Sequence, residues 1–418
     1  FFGKAPKGLW LPECGYRPGY PWTPPIGPEH GKYHANRPGL EVLAGEQGFE
    51  YFVLDSHSLR AGRSPQTYEQ IFPALQNLRT KDRDAEMLPS AVRTPYQSYR
   101  IEGVPSTERG MSILVRDPIC SGQVWGTTDA YPGDAYYCDF HKRHHPGGMR
   151  YWRVTDIRSD MVEKSVYEPH RAQECVQKHA RDFANRVCSV LKISELGERA
   201  VVVAPFDTEL FGHWWYEGPD WLGAALRELQ KSGVSLKTCG DYLKSYPPDT
   251  AVVPAEGSWG AWGDHRVWLN RHTAWTWERL YDAEVQMERI MACVPEENSP
   301  ELNRLLTQAM RELLLLQSSD WQFLITTESA RDYSDRRFAE HYADYKRLME
   351  LSIKVMEGYA TNEADREFLS YTEKVDCVFP DLDLSWYGDR SGEINAKPVG
   401  AGDDHGRRKG RAALPADS

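Results

Sequence analysis

The sequence has 418 residues, of which 40% are hydrophobic and 27% charged, the balance of an ordinary globular protein. This length predicts two or three structural units instead of one small core. The net charge of -11 argues against a nucleic-acid partner, because a phosphate backbone is bound through a basic surface. No stretch reaches the roughly 18 apolar residues that a membrane helix needs, so no membrane partner is expected.

Two residue types carry further information. The 14 tryptophans offer flat faces on which a ligand such as a sugar can stack, although a tryptophan-rich core explains any single one equally well. The eight cysteines include no C-x-x-C pair and no zinc spacing, which predicts reduced, mostly buried thiols and a cytoplasmic location. Residue 1 is Phe instead of Met, so a longer natural protein is expected.

The first half of the chain is predicted to form a parallel sheet. Four continuous apolar runs end in polar residues, at 8–13, 49–57, 111–117 and 199–207. Such uninterrupted runs are typical of strands that are buried on both faces. A fifth, weaker strand is predicted at 233–238, and a helix at 168–192. This alternation is typical of a β/α barrel or an open α/β sheet, whose sites lie at the carboxyl ends of the strands.

The second half is predicted to be helical. Ser299 and Pro300 open one helix as N-cap and first residue. Its apolar residues then recur at helical spacing: Leu302, Leu305, Leu306, Met310, Leu313 and Leu314. A second helix is predicted at 335–358, ending on Gly358, and a third at 361–374, with a Thr cap.

These patterns predict three regions. Residues 1–240 form the α/β domain and 241–387 an α-helical bundle domain. The tail, 388–418, is expected to be disordered, and its basic cluster is more simply solvated than bound to an anionic surface. Residues 58–109 are either a mobile lid over the site or an inserted helical subdomain.

Glu13 and Asp207 stand out because each ends a predicted parallel strand. Two carboxylates that converge on a glycosidic bond are the minimal machinery of glycoside chemistry. Taken singly, either acid is more simply explained as a helix cap or an ion-pair partner.

Aromatic residues beside these acids favour a saccharide groove. Segment 204–222 places Asp207, Glu209 and His213 among the rings of Trp214, Trp215, Tyr216 and Trp221. Segment 257–270 contains Trp259, Trp262 and Trp268, and its glycines allow the backbone to approach a ligand closely.

A metal site is the competing interpretation of the polar residues. Imidazole and carboxylate groups suit zinc or manganese. The candidate ligands are Asp55, His57, His141, His144, His145, Asp207 and His213. They lack a local ligand spacing such as H-x-x-x-H, so no metal and no cofactor are expected.

Several motifs resemble glycoside hydrolase family 57, in the wording typical of its α-1,4-glucan branching enzymes. They are "WLPECGY" (10–16), "FDTELFGHWW" (206–215) and "LLLLQSSDWQFL" (313–324), in the order found in the family. Segments 124–142 and 373–387 look like further branching-enzyme stretches, so the resemblance covers residues 8–387.

The resemblance implies an incomplete (β/α)7 barrel of parallel strands followed by an α-helical bundle domain. It implies that Glu13 is the nucleophile, that Asp207 is the general acid/base and that Glu209 orients it. Trp125, Trp259, Trp268 and Asp320 would line the glucan subsites. The predicted substrate-binding residues also include His57, His213 and Trp214.

The chain departs from the family pattern before "WLPECGY". The family's barrel begins with a His-x-His-x-Pro element and a second region with a site histidine, and neither occurs here. The chain is therefore expected to lack the first barrel strands.

The predicted function is retaining transglycosylation by a 1,4-α-glucan branching enzyme, which cuts α-1,4 links and forms α-1,6 branches. Its partner would be an α-1,4-glucan such as amylose, amylopectin or glycogen, and a monomer is expected. The alternatives are an α-amylase, a 4-α-glucanotransferase, a metal-dependent hydrolase and a glucan-binding fragment without catalysis.

Overall fold

The computed structural model describes residues 3–27, 35–60, 93–101, 110–125, 130–295 and 298–385. The chain divides into two compact units. The first unit comprises the described parts of Phe1–Pro18, Gly39–Ile71 and Lys81–Asp264. The second comprises the described parts of Gly19–Pro38 and His265–Ser418.

The domain limits given above for 1–240 and 241–387 stay predictions. The predicted tail, from residue 388 onward, lies outside the described residues. Of the predicted lid, 58–109, only residues 58–60 and 93–101 are described, so the choice between a lid and a helical subdomain falls largely outside the described residues.

The regular elements of the described residues are short strands and longer helices. The strands are β1 (Gly8–Trp10), β2 (Tyr20–Trp22), β3 (Ala35–Arg37), β4 (Tyr51–Leu54), β5 (Tyr99–Ile101), β6 (Ser112–Val115) and β7 (Ala251–Val252). The helices are α1 (Leu40–Glu46), α2 (His57–Arg60), α3 (Pro118–Trp125), α4 (Pro169–Ile193), α5 (Gly218–Lys231), α6 (Cys239–Ser245), α7 (Ala274–Met291), α8 (Pro300–Leu316), α9 (Asp320–Thr327), α10 (Arg331–Met356) and α11 (Glu363–Val375).

The first unit contains a five-stranded sheet in the order β1-β4-β6-β5-β7. Strands β1, β4 and β6 run parallel to one another, whereas β5 runs antiparallel to β6. Alternate residues of β4 face two different clusters: Phe52 and Leu54 pack on one side and Val53 on the other. The prediction of parallel strands is confirmed for β1, β4 and β6; burial on both faces is confirmed for β4 and β6, whereas the three residues of β1 are half-buried.

Two of the predicted strands are wrong. In the run 199–207 only Val203 makes a β-bridge, which is parallel and pairs with Arg116. The run is bounded by a helical turn at Gly197–Arg199 and another at Thr208–Leu210, which leaves little extended chain to pair. Segment 233–238 is a turn and irregular chain without a strand. Its Val234 packs instead against the helices of the first unit.

Helices α4 and α5 form one hydrophobic core in the first unit, and side chains of the run 199–207 pack against it. The predicted helix at 168–192 is confirmed as α4, whose apolar stripe is buried against α5. Trp221 and Trp215 lie in that core, at 0% and 1% exposure. Large apolar rings of this kind contribute about 1.5–3 kcal/mol each when fully buried.

The second unit is mainly helical, with β2 and β3 paired antiparallel. The Ser299 cap is confirmed, since its hydroxyl accepts a hydrogen bond from Leu302 N at 3.1 Å. The predicted stripe of α8 is buried except for Leu314, which is half-buried. The other two helices are confirmed with shifted starts, because α10 begins at Arg331 and α11 is capped by Asn362 instead of Thr361.

Asn362 and Asp365 form a reciprocal capping box, in which each side chain accepts from the other's backbone N–H. Two N–H groups are thereby satisfied, which explains why this cap prevails over Thr361. Within the described ranges, no helix is both long and apolar enough to cross a membrane. All eight cysteines are free thiols, as predicted, but only Cys14, Cys120 and Cys138 are buried, so the expectation of mostly buried thiols is wrong.

Candidate active site

Glu13 lies on a tight turn directly after β1. Its φ is 56° and that of Cys14 is 46°, the left-handed region that side chains rarely adopt. Cys14 N donates to Leu11 O and Gly15 N donates to Pro12 O, which closes the turn. Strained residues of this kind concentrate at functional sites, where the surrounding structure keeps them in place.

Trp259 holds Glu13 by two hydrogen bonds. Its indole Nε1 donates to Glu13 Oε2 at 2.6 Å, and its backbone N donates to Glu13 O at 2.9 Å. Trp259 is itself buried, at 6% exposure. The carboxylate of Glu13 therefore has a fixed orientation.

The glycines of segment 257–263 bring this backbone close to His57. A Cβ on Gly257 would lie 2.9 Å from His57 Nε2, and one on Gly263 would lie 2.8 Å from His57 Cδ2. Gly263 also has a φ of 74°, which favours glycine. The close approach predicted from these glycines is thus made to a buried histidine of the chain itself.

Asp55 and Arg116 form a buried ion pair beneath Trp259. Arg116 Nη1 lies 3.5 Å from Asp55 Oδ2, and the two residues are 3% and 1% exposed. Burial alone would raise the pKa of Asp55, but Arg116 and contacts with His57 and Ser56 hold it below its usual range. The Arg116 guanidinium lies 5.5 Å from the Trp259 ring centroid, within reach of a cation–π interaction.

Asp207 follows the bridge at Val203 and directly precedes the helical turn Thr208–Leu210, with which its side chain forms no capping hydrogen bond. Its pKa is raised to about 6 by partial burial and by the negative charges of Glu209 and Glu13, while Arg116 acts in the opposite direction. The side chains of Glu13, Asp207 and Arg116 thus interact electrostatically in one site. A carboxyl group with this pKa can both donate and accept a proton near neutral pH.

Four indole rings extend from the Glu13 turn. Trp10 meets Trp259 edge-on at 5.3 Å, Trp259 meets Trp125 at 6.1 Å, and Trp125 meets Trp214 at 6.1 Å. Trp214 is 41% exposed, so the row ends at the surface. The structure therefore brings together Trp125, Trp214 and Trp259, which were predicted to bind substrate.

Other predicted residues lie elsewhere. Trp215 and Trp221 belong to the core of the first unit, so their assignment to the wall of a groove is wrong. The His213 ring is exposed and packs edge-on against Phe140. His57 is 5% exposed, and its predicted contact with substrate stays a prediction.

Trp268 and Asp320 lie in the second unit. Trp268 is buried, and its carbonyl accepts from Trp277 Nε1 at 2.7 Å. Asp320 is exposed in the first turn of α9, where it accepts from Ser318 Oγ at 2.7 Å. Their predicted roles at glucan subsites stay predictions.

The metal interpretation gains no support from the described residues. None of its seven histidines and carboxylates falls in a group of three whose ligand atoms lie within 4.8 Å. The group that meets this criterion is Glu312, His341 and Asp376 in the second unit. Arg337 lies 3.0 Å from His341 Nε2 and 3.7 Å from Asp376 Oδ1, so a guanidinium already supplies the positive charge there.

Sequence reasoning missed the partnership of Asp55 with Arg116. Both residues follow predicted strands, which was visible in the sequence. What the sequence lacks is the register that pairs Leu54 with Val115 and so makes the next residues neighbours.

Two acids that follow parallel β-segments, beside a row of indole rings, are typical of α/β proteins that act on saccharides. Comparison with known proteins agrees with this class. A family model described as "1,4-alpha-glucan branching enzyme, C-terminal" matches residues 279–387. A 1,4-α-glucan branching enzyme of Thermococcus kodakarensis is 37% identical over 382 residues, 90% of this chain and 52% of that protein.

Solved structures are similar as well. A crystal structure of the glycoside hydrolase family 57 branching enzyme from that archaeon, in complex with glucose, has a TM-score of 0.80 and 35% identity, covering 93% of this chain and 66% of the other. An α-amylase from Thermotoga maritima has a TM-score of 0.66 and 27% identity, covering 92% and 65%.

The chain belongs to glycoside hydrolase family 57. It combines an α/β fold containing parallel strands with a helical C-terminal region, as expected. It spans about half the length of the curated relatives that it matches.

Proposed function

We propose that this chain carries the catalytic acids of a retaining 1,4-α-glucan branching enzyme. The observation that carries the proposal is the electrostatic pairing of Glu13 with Asp207, whose pKa is raised to about 6 by burial, Glu209 and Glu13. A nucleophile and a proton donor need this pairing, because one acid must be ionised while the other is protonated.

In the first step, the Glu13 carboxylate attacks the anomeric carbon of an α-1,4-linked glucose. The C1–O4 bond breaks, Asp207 gives its proton to O4, and an ester joins C1 to Glu13. The ester bond replaces the C1–O4 bond, and the freed glucan chain leaves with the proton on O4. Asp207 is therefore left ionised.

In the second step, the 6-hydroxyl of another glucan chain attacks C1. Its proton goes to Asp207, the ester bond breaks, and Glu13 returns to its carboxylate form. The product is an α-1,6 branch with the original anomeric configuration. Both acids are restored without a metal or an organic cofactor.

The row of indole rings supports a glucan as the substrate. Sugar rings have apolar faces that stack on aromatic side chains, and the exposed Trp214 leads through Trp125 to Trp259 at the Glu13 turn. Stacking of the acceptor beside Glu13 would favour transfer over attack by water. The similarity to the T. kodakarensis branching enzyme supports the same substrate class.

An α-amylase of the same family is the second candidate, favoured by the similarity to the T. maritima enzyme. The two activities would use the same acids and differ in the acceptor, which is water in an amylase.

Incubation with amylose, followed by counting of α-1,6 linkages with a debranching enzyme, separates the candidates. Branching predicts new α-1,6 linkages, which Glu13→Gln abolishes and the exposed control Asp220→Asn retains. Reducing ends without branch points would instead support an amylase. Binding of amylose without turnover would leave a glucan-binding protein.

We further propose that the parallel strands belong to a seven-stranded β/α barrel. The parallel neighbours β1, β4 and β6, and the bridge from Arg116 to Val203, support this arrangement. A monomeric, cytoplasmic protein is also proposed, and the free thiols are consistent with a reducing compartment.

A further inference from the structure

Asp55 and Arg116 are placed together by the sheet. They follow β4 and β6, whose last residues Leu54 and Val115 are paired in parallel register. Arg116 N donates to Leu54 O at 2.8 Å, which fixes the backbone between the two residues. The side chains then meet as an ion pair that is almost completely buried.

Such a pair is costly to bury, so a stabilising role alone explains it poorly. Removing two charges from water costs several kcal/mol per ion, and apolar residues of similar size are often as stable. Arg116 Nε and Asp55 Oδ2 also have no hydrogen-bond partner among the described residues. The pair therefore needs an explanation beyond packing.

The contacts of Trp259 supply one. The guanidinium of Arg116 lies 5.5 Å from the centroid of its ring, and the indole N–H donates to Glu13 Oε2. A cation over an indole restrains the ring, and the ring in turn restrains the carboxylate. Asp55, Arg116, Trp259 and Glu13 thus form one continuous set of contacts within the first unit.

We propose that the Asp55–Arg116 pair is a positioning device for the nucleophile: Asp55 fixes the guanidinium, which supports the Trp259 ring that orients the Glu13 carboxylate. This inference rests on the proposed function for the role of Glu13 as nucleophile. Arg116 and Asp55 are positioning residues, because they act on Glu13 through Trp259.

The same guanidinium also influences the acid/base. Among the charges acting on Asp207, Glu209 and Glu13 raise its pKa, whereas Arg116 lowers it. Loss of the positive charge should therefore raise the pKa of Asp207 further. This effect follows from the charge of Arg116 and shows, in a folded variant, that the guanidinium acts on the site.

The test compares Arg116→Met, Arg116→Lys and the control Arg186→Met in the full chain. Arg186 is also ion-paired, with Asp182 at 2.6 Å, but on α4. We expect Arg116→Met to lower kcat on amylose about 10- to 100-fold, with KM within threefold, because Glu13 is misplaced in the reaction while binding persists. Arg116→Lys should recover part of the loss, and Arg186→Met should match the parent chain.

Two further measurements distinguish positioning from general damage. In the parent chain, kcat/KM should fall at high pH as Asp207 loses its proton. This fall should occur at a higher pH in Arg116→Met and at the parent's pH in Arg116→Lys. A crystal structure of Arg116→Met should show the bond from Trp259 Nε1 to Glu13 lengthened beyond 3.5 Å. This structural measurement needs no activity, so it decides the inference even if the parent chain forms no branches.

Arg116→Met leaves the charge of Asp55 buried without its cationic partner, which is enough to prevent folding in some proteins. The double variant Asp55→Asn/Arg116→Met removes both charges and is measured in the same way. A folded single or double variant that retains the bond between Trp259 and Glu13, with unchanged kcat, would overturn the inference. Failure of the double variant to fold would overturn it too, since the pair would then serve the stability of the sheet.

Discussion

Two buried polar networks, one in each unit, are satisfied to very different degrees. In the first unit, hydrogen-bond partners are missing among the described residues for both ring nitrogens of His57, Asp55 Oδ2, Arg116 Nε and Trp125 Nε1. In the second unit, Glu312 accepts from Gln308 at 2.9 Å and pairs with His341 at 2.7 Å. Arg337 can only donate, so His341 Nε2 accepts from it and Nδ1–H donates to Glu312.

The contrast separates a network built for chemistry from one built for packing. A buried polar atom without a partner costs about 1–3 kcal/mol, so several of them in one place are tolerated where function requires them. The network of the second unit joins α8 to α10 and fixes how these helices pack. Substitutions in the first network should therefore reduce activity, and substitutions in the second should reduce stability.

Asp207→Asn should have the largest effect on activity. An amide cannot supply the proton for the leaving chain, so kcat should fall about 10³-fold. Stability should be unchanged or higher, because the variant relieves the repulsion that raises the pKa of Asp207. Turnover of amylose and thermal unfolding measure the two effects. A variant that loses stability as well as activity would contradict the view that the network of the first unit serves chemistry instead of packing.

His341→Leu should have the largest effect on stability. It removes the partner of Glu312 Oε2 and leaves this fully buried carboxylate with Gln308 alone, which should lower the free energy of unfolding by about 3 kcal/mol. Urea unfolding, followed by a probe in the second unit, measures this. Glu340→Gln removes an exposed partner of Arg337 on the same helix and should change stability by less than about 1 kcal/mol.

Trp259→Phe tests the hydrogen bond to Glu13 directly. The aromatic ring remains while the indole N–H is lost, so kcat should fall about 30-fold through misplacement of the carboxylate. Trp214→Phe, at the exposed end of the row, should change KM more than kcat. Equal kcat values for the two variants would contradict the orienting role of Trp259.

Asp344→Asn should stabilise the second unit at high pH. Burial, Glu312 and Asp376 raise the pKa of Asp344 to about 6. Folding therefore favours the protonated form of Asp344. Its contribution to the free energy of unfolding is complete below the unfolded-state pKa near 4 and is lost as pH rises through about 6. At pH 8 the variant should gain about 1 kcal/mol, after allowance for solvent screening. A gain at pH 4 of the same size would contradict this cause.

Glu209→Gln should produce the smallest change, a shift in pH dependence. After burial, Glu209 is the largest cause of the raised pKa of Asp207, so its removal should make kcat/KM fall at a lower pH than in the parent chain. Activity at pH 5 should stay within a few fold of the parent chain. A fall of kcat/KM at higher pH than in the parent chain would show that the charge of Glu209 does not raise the pKa of Asp207.

Much of the fold was predictable because its signals are local. The runs around β1, β4 and β6 consist of consecutive apolar residues, and α4 and α8 carry apolar residues at helical spacing. The run at 199–207 was equally apolar, yet the structure gives it one bridge. A strand needs a partner along its length, which its own composition does not report.

The amino-acid sequence was enough to predict the Ser299 cap, the buried strands β4 and β6 and the position of Glu13 shortly after a strand, because these depend on residues a few positions apart. Which tryptophans belong to the core and which surround Glu13 became clear from the tertiary packing. Trp221 and Trp259 have the same chemistry, and their difference arises from packing. The bond between Glu13 and Trp259 joins residues 246 positions apart, so sheet register and loop path had to be known before it could be found.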